Sequence, residues 1–186
     1  GGQSFVGRYA GRVIGKLAEL GKDIVYIHNE GYTLAHVKAK ELGIPVPFKY
    51  MHLFEYLLDY LKNNRGGINP LGRKVAYQPN CATRWLPEQD AWLDEIFGLI
   101  GVVRPPRQYE RLNALCCSAP VIGINKEMAI NMQEKNVKDA MDCGAEALIT
   151  ICPICDAVMR RPASRLGLAK IFITDLCRIA LGEISW

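Results

Sequence analysis

The chain has 186 residues, 49% of them hydrophobic and 23% charged, with a net charge of +4. That balance excludes a disordered or fibrous polypeptide and suits one domain, or two small lobes sharing a core. The charge is mild, and no dense basic stripe interleaved with aromatics accompanies it, so nucleic acid is not an expected partner. No segment reaches the roughly 18 apolar residues of a membrane span. Gly1-Gly2-Gln3-Ser4 does not open a signal peptide, and the chain starts without Met directly before a helical pattern. The expectation is a trimmed chain from the cytoplasm, associated with a membrane only through a partner.

Phe5, Val6, Tyr9, Val13, Ile14 and Leu17 recur at helical spacing and predict a helix over 4–20. A strand is predicted at 23–27, a helix at 30–42 ending at Gly43, a second strand at 46–50 and a helix at 53–61. Asn63-Asn64-Arg65-Gly66-Gly67 reads as a linker. Beyond it come a strand at 74–78, a helix at 88–100 and a loop at Arg104-Pro105-Pro106-Arg107. A helix at 125–143, a strand at 147–151, a helix at 156–165, a strand at 171–174 and a helix at 176–181 complete the pattern. Strands alternating with helices predict an α/β fold with a largely parallel sheet.

An internal repeat appears at an offset of 124 residues, with Ile24-Val25-Tyr26-Ile27 on Leu148-Ile149-Thr150-Ile151. The same offset sets Gly43 on Gly167, Phe48 on Phe172, His28 on Cys152 and Gly31 on Cys155. Two pseudo-repeated lobes are therefore expected, each a parallel sheet flanked by helices. The first, at 1–64, is degenerate; the second, at 71–186, carries the cysteines.

The seven cysteines are an odd number in a chain without an export signal, which disfavours a disulfide framework. Five of them form the pattern Cys81-x34-Cys116-Cys117-x34-Cys152-x-x-Cys155. Each lies at a strand end or in a loop, and the carboxyl ends of parallel strands share one edge, where ligands bind. Cys-x-x-Cys at a strand-to-helix turn lets two sulfurs face one metal or cluster, and the helix N-terminus favours thiolate. Five thiolates exceed the four of tetrahedral zinc, which favours an iron–sulfur cluster. Cys143 and Cys177 read as small buried hydrophobes. For Cys152 and Cys155 taken alone, a metal-free redox pair is the competing reading.

Cys81, Cys116-Cys117 and Cys152-Pro153-Ile154-Cys155, with Gly144-Ala145-Glu146-Ala147-Leu148-Ile149-Thr150 upstream, resemble the cysteine-rich (CCG) domain of heterodisulfide reductase B and D subunits. Similar domains occur in subunits of several other dehydrogenase and reductase complexes. The resemblance covers about 74–184. It implies an oxidoreductase component that reduces a disulfide or relays electrons at one [4Fe–4S] centre. In the reductase that centre is noncubane, and one of its irons takes up a thiolate as the substrate disulfide is cleaved. In other relatives the same motif binds zinc, which would make the chain a structural or docking subunit of a dehydrogenase complex. Carried over by position, Cys81, Cys116, Cys117, Cys152 and Cys155 are the ligands.

Two departures stand out. The family usually has Gly after the cysteine pair, and this chain has Ser118. The first lobe has His28 and Gly31 where the two-cluster reductase has cysteines, so that lobe is expected to hold no cluster. His28 is a candidate replacement ligand or acid–base group. His36 and His52 are expected at the surface or at helix ends. Arg104, Arg107 and Arg111, with Arg160, Arg161 and Arg165, could form a positive rim that guides an anionic thiol or an acidic partner. No ferredoxin-type cysteine run is present, so electrons would come from a ferredoxin-like or flavin-containing subunit or domain. Nucleotide-binding motifs are also missing.

Overall fold

The computed structural model describes residues 2–186, with side chains from residue 7 onward. Helix α1 (Gly2–Ala18) buries Ala10 and Ile14; Phe5 and Val6 lie outside the described side chains. Strand β1 (Ile24–Tyr26) leads into a helical stretch made of α2 (Asn29–Thr33), a π-helical segment (Leu34–Lys38) and α3 (Ala39–Glu41). Strand β2 (Tyr50–His52) then pairs in parallel with β1. It starts four residues later than the pattern predicts. Pro45 and Pro47 have no N–H to give a ladder, and pairing begins where Ile24 N–H reaches Lys49 O at 2.9 Å. Helix α4 (Leu53–Asn63) follows at once.

After a 3₁₀ turn at Arg65–Gly67 comes β3 (Val75–Gln78), a 3₁₀ turn at Cys81–Trp85, and α5 (Glu88–Ile100). A short α6 (Ala119–Ile122) precedes α7 (Lys126–Asp142), β4 (Ala147–Thr150), α8 (Pro153–Leu166), β5 (Ala169–Phe172) and α9 (Ile173–Ala180). The last strand ends before the predicted 174. Ile173, Leu176, Cys177 and Ala180 are all buried at helical spacing, which carries the helix back to Ile173.

Strands β3, β4 and β5 form one parallel sheet with β4 central. Both faces are covered, so alternate residues enter different cores. Val75, Tyr77, Ala147 and Ile149 meet α4, α5 and α9, whereas Ala76 and Leu148 meet α7 and α8. Helix α4 contributes Leu53, Phe54, Leu57, Leu58 and Leu61 to the first of these cores, so the chain before the 3₁₀ turn packs into the sheet after it.

Two strand-to-helix turns have similar backbone geometry. Both β1–α2 and β4–α8 run strand into helix, and His28 and Cys152 occupy the N-cap with nearly the same extended conformation (φ −99°, ψ 123° and φ −77°, ψ 124°). Gly43 and Gly167 both take the left-handed conformation that closes the helix (φ +65° and +80°). The match then slips. His52, not Phe48, corresponds to Phe172, since each ends its strand and caps the next helix. The proline-containing loop accounts for the extra residues in the first lobe.

Candidate metal centre

Three loops at the carboxyl ends of β3 and β4 bring the five cysteines together. After β3, Pro79-Asn80 leads into the Cys81 turn, whose N–H groups at Ala82 and Thr83 are capped by Asn80 Oδ1 at 3.1 and 3.2 Å. The loop of Cys116-Cys117 is tied to β3 and α7. Gln78 Nε2 donates to Pro79 O at 2.8 Å and to Leu115 O at 3.0 Å, and Gln133 Nε2 donates to Cys117 O at 3.0 Å. Asn136 Nδ2 donates to Gln78 Oε1 and so locks the first amide in place. After β4, Cys152 is the N-cap of α8, Pro153 takes the first helical position as its fixed φ favours, and Cys155 lies within the first turn.

The sulfurs form a connected chain. Cys81 Sγ lies 3.8 Å from Cys116 Sγ, Cys117 neighbours Cys116, and Cys155 neighbours both Cys117 and Cys152. Cys117, Cys152 and Cys155 are buried, Cys116 is half-buried and Cys81 is exposed. All seven cysteines are free thiols. Among the described residues, no three His, Cys, Asp or Glu side chains have the geometry of a single-ion site.

Local electrostatics divide the five. The hydrogen bond from Cys155 holds Cys152 down at about 6; the N–H groups of Cys155 and Ile154 at the helix N-terminus and the charge of His28 act in the same direction. Cys117 is lowered to about 7, first by Cys155 and then by the Ala119 N–H. Cys155, which serves both neighbours, is pushed up. Burial, with Cys116 beside it, raises Cys81 to about 11. The one Cys155 S–H can favour a thiolate at Cys152 or at Cys117, and the five sulfurs together make a soft, sulfur-only donor set, which fits an iron–sulfur cluster.

Ser118 sits where the backbone favours Gly. Its φ is +63°, it is fully buried, and its N–H donates to Cys116 Sγ at 3.3 Å. The turn after the cysteine pair thus needs a left-handed residue, and Ser adopts that conformation at a cost.

His28 pairs with Glu30 at 2.7 Å and lies close enough to Cys152 to favour its thiolate. Gly31, the counterpart of Cys155, has no room for a side chain: an added Cβ would meet the Tyr26 ring at 2.9 Å. His36 is exposed, as expected. His52 is at a helix end but is fully buried rather than at the surface. The positive rim is corrected for its first group. Arg104 and Arg107 have side chains only 6% and 2% exposed, bound to Asp90 at 2.8 Å and Asp139 at 3.1 Å. Arg111 pairs with Asp94 at 2.7 Å. These arginines serve the loop's internal structure, since several carboxylates surround them. Arg160 and Arg165 are exposed and pair with Asp156 and Glu134, and Arg161 is exposed. Cys177 packs in the core, and Cys143 donates to Ala140 O at 3.1 Å.

A buried amide network joins the first lobe to the Cys81 turn. Phe54 N–H donates to His52 Nδ1 at 3.1 Å, so the ring hydrogen is on Nε2 and is donated to Asn29 Oδ1 at 2.9 Å. Asn29 Nδ2 donates to Thr83 Oγ1 at 3.2 Å and also to Gln89 Oε1, while the Gln89 amide nitrogen lies 3.0 Å from the same His52 nitrogen. Burial lowers the His52 pKa to about 4. The sequence pattern singles out none of Asn29, Gln78, Asn80, Thr83, Gln89, Gln133 and Asn136. Gln133 and Asn136 did carry a signal: they share the buried face of α7 with Val137 and Ala140.

Residues 75–160 match the family model of the CCG cysteine-rich domain. The D subunit of the dihydromethanophenazine:CoB–CoM heterodisulfide reductase of Methanosarcina acetivorans is 27% identical over 132 residues, covering 61% of this chain and 29% of that relative. The chain therefore spans less than a third of that relative's length. Among solved structures, a hypothetical protein from Helicobacter pylori superposes with a TM-score of 0.55 at 15% identity, over 83% of this chain and 30% of the other. Glutamate racemase from Francisella tularensis superposes with a TM-score of 0.50 at 14% identity, over 94% of this chain and 61% of the other. These two likenesses concern the fold alone. No helix among the described residues is long and apolar enough to cross a membrane.

Proposed function

We propose that the chain is an iron–sulfur oxidoreductase component in which Cys81, Cys116, Cys117, Cys152 and Cys155 hold one [4Fe–4S] centre, noncubane as in the reductases it resembles. The observation that carries this reading is the unbroken chain of five sulfurs supplied by three loops at one sheet edge. When bound, the cluster would supply electron transfer and an iron with affinity for sulfur, the chemistry needed to reduce a disulfide or relay electrons. Cys152 and Cys117, already biased toward thiolate, need little proton release to become ligands. Their burial keeps water from the inner side of the site, and the exposure of Cys81 leaves the outer side open to a thiol or disulfide.

Residues 71–186 carry this centre in the proposal, and residues 1–64 form a cluster-free lobe that supports it. Electrons come from a ferredoxin-like or flavin-containing partner, in the cytoplasm. Protein purified without oxygen should contain about four irons and four acid-labile sulfides per chain and absorb visible light. One zinc without sulfide would replace this reading with a structural subunit.

A further inference from the structure

The residue before Cys81 has an unexplained donor. Asn80 is 6% exposed, and its Oδ1 accepts from Ala82 N–H, Thr83 N–H and Thr83 Oγ1 at 3.1, 3.2 and 3.2 Å. Two of those donors are backbone N–H groups, which can only donate, so the amide orientation is determined and Nδ2 is directed away from the turn. Nδ2 is buried and has no hydrogen-bond partner among the described residues. Such orphaned donors are rare in folded proteins and call for an acceptor. Asn80 lines a small cavity of about 80 Å³ whose wall also includes Cys81 and Cys116, two of the proposed ligands. The cavity's other side chains include the cations Arg84 and Arg111, which offer no acceptor.

We infer that Asn80 Nδ2 donates a hydrogen bond to sulfur of the bound cluster, either a sulfide or the thiolate of Cys81 or Cys116, and so raises the cluster's reduction potential. The inference rests on the iron–sulfur reading above. Reduction adds negative charge to the sulfurs, and a fixed N–H donor stabilises that charge more than it stabilises the oxidised state. Asn80 is thus a positioning residue in two senses: its oxygen shapes the turn that presents Cys81, and its nitrogen adjusts the electronics of the centre.

Asn80→Ser keeps a capping oxygen and removes the amide nitrogen, so the two roles separate. Iron and sulfide content is measured alongside the midpoint potential in wild-type and variant protein. Equal cluster content with a more negative potential in Asn80→Ser supports the inference; equal content with an unchanged potential overturns it. A wild-type protein that takes up no iron overturns the inference together with the reading beneath it, and the metal assay tells these failures apart. A second measurement needs no variant. In wild-type protein carrying ¹⁵N only in asparagine side chains, pulsed EPR of the reduced cluster should show a ¹⁵N coupling, and no such coupling would overturn the inference.

Discussion

The two lobes share a strand–helix–strand–helix plan but use its key positions differently. At the first N-cap the second lobe has Cys152, while the first has His28 paired with Glu30. One turn on, Cys155 lies among the other cysteines, while Gly31 sits under the Tyr26 ring. The next residues have diverged as well. Asn29 and His52 of the first lobe enter a buried network that ends at the Cys81 turn. The chain before the 3₁₀ turn at Arg65–Gly67 thus braces the Cys81 turn that follows it.

The largest effect expected from breaking this comparison is on metal content. Cys117→Ser should lose most of the bound iron, because Cys117 is buried in the middle of the sulfur chain. The reciprocal change, His28→Cys with Gly31→Cys, should add no iron per chain, since Tyr26 occupies the space the second cysteine would need. Iron counts on the purified proteins check both.

The bracing network predicts a pH effect. His52 has its pKa lowered to about 4 in the folded state, against a value near 6.5 when unfolded. Its contribution to stability is therefore complete above pH 6.5 and is lost as the pH falls toward 4, by about 3 kcal/mol at most. Urea denaturation from pH 7 to 4 should show this loss in the wild type, and a flatter pH dependence in His52→Gln. Asn29→Ala leaves Gln89, Thr83 and His52 without a shared partner and should cost about 2 kcal/mol at pH 7 in the same assay. No such cost is expected from Arg160→Ala, since the Arg160 side chain is exposed and Asp156 keeps its ion pair with Lys170. The smallest effect lies at Ser118. Replacement by Gly relieves the left-handed backbone and should stabilise the fold by about 0.5–1 kcal/mol with iron content unchanged.

Most of the fold was legible because its signals were local. Apolar periodicity and caps placed α4, α5 and α7 within about two residues, and the spacing of five cysteines drew attention to one sheet edge. The errors came where local signals conflicted. Prolines displaced β2, and an apolar run at 171–174 concealed the switch from strand to helix at Ile173. Arg104 and Arg107 looked like a surface rim because nothing in sequence order announced that Asp90 and Asp139 would enclose them. The amides were hidden for the same reason. Asn29, Gln89 and His52 are distant along the chain, and each alone resembles an ordinary polar residue.

The most direct test of the central claim is cysteine alkylation, mapped by mass spectrometry, on anaerobically prepared protein before and after iron is removed by a chelator. Cys81 is decisive, because it is the exposed member of the five, open to reagent whenever no iron holds it. Cys81, Cys116, Cys117, Cys152 and Cys155 should resist alkylation together in the iron-loaded protein, and Cys81 and Cys116 should react once iron is gone. Alkylation of Cys81 at the same rate in both states would contradict a five-thiolate centre.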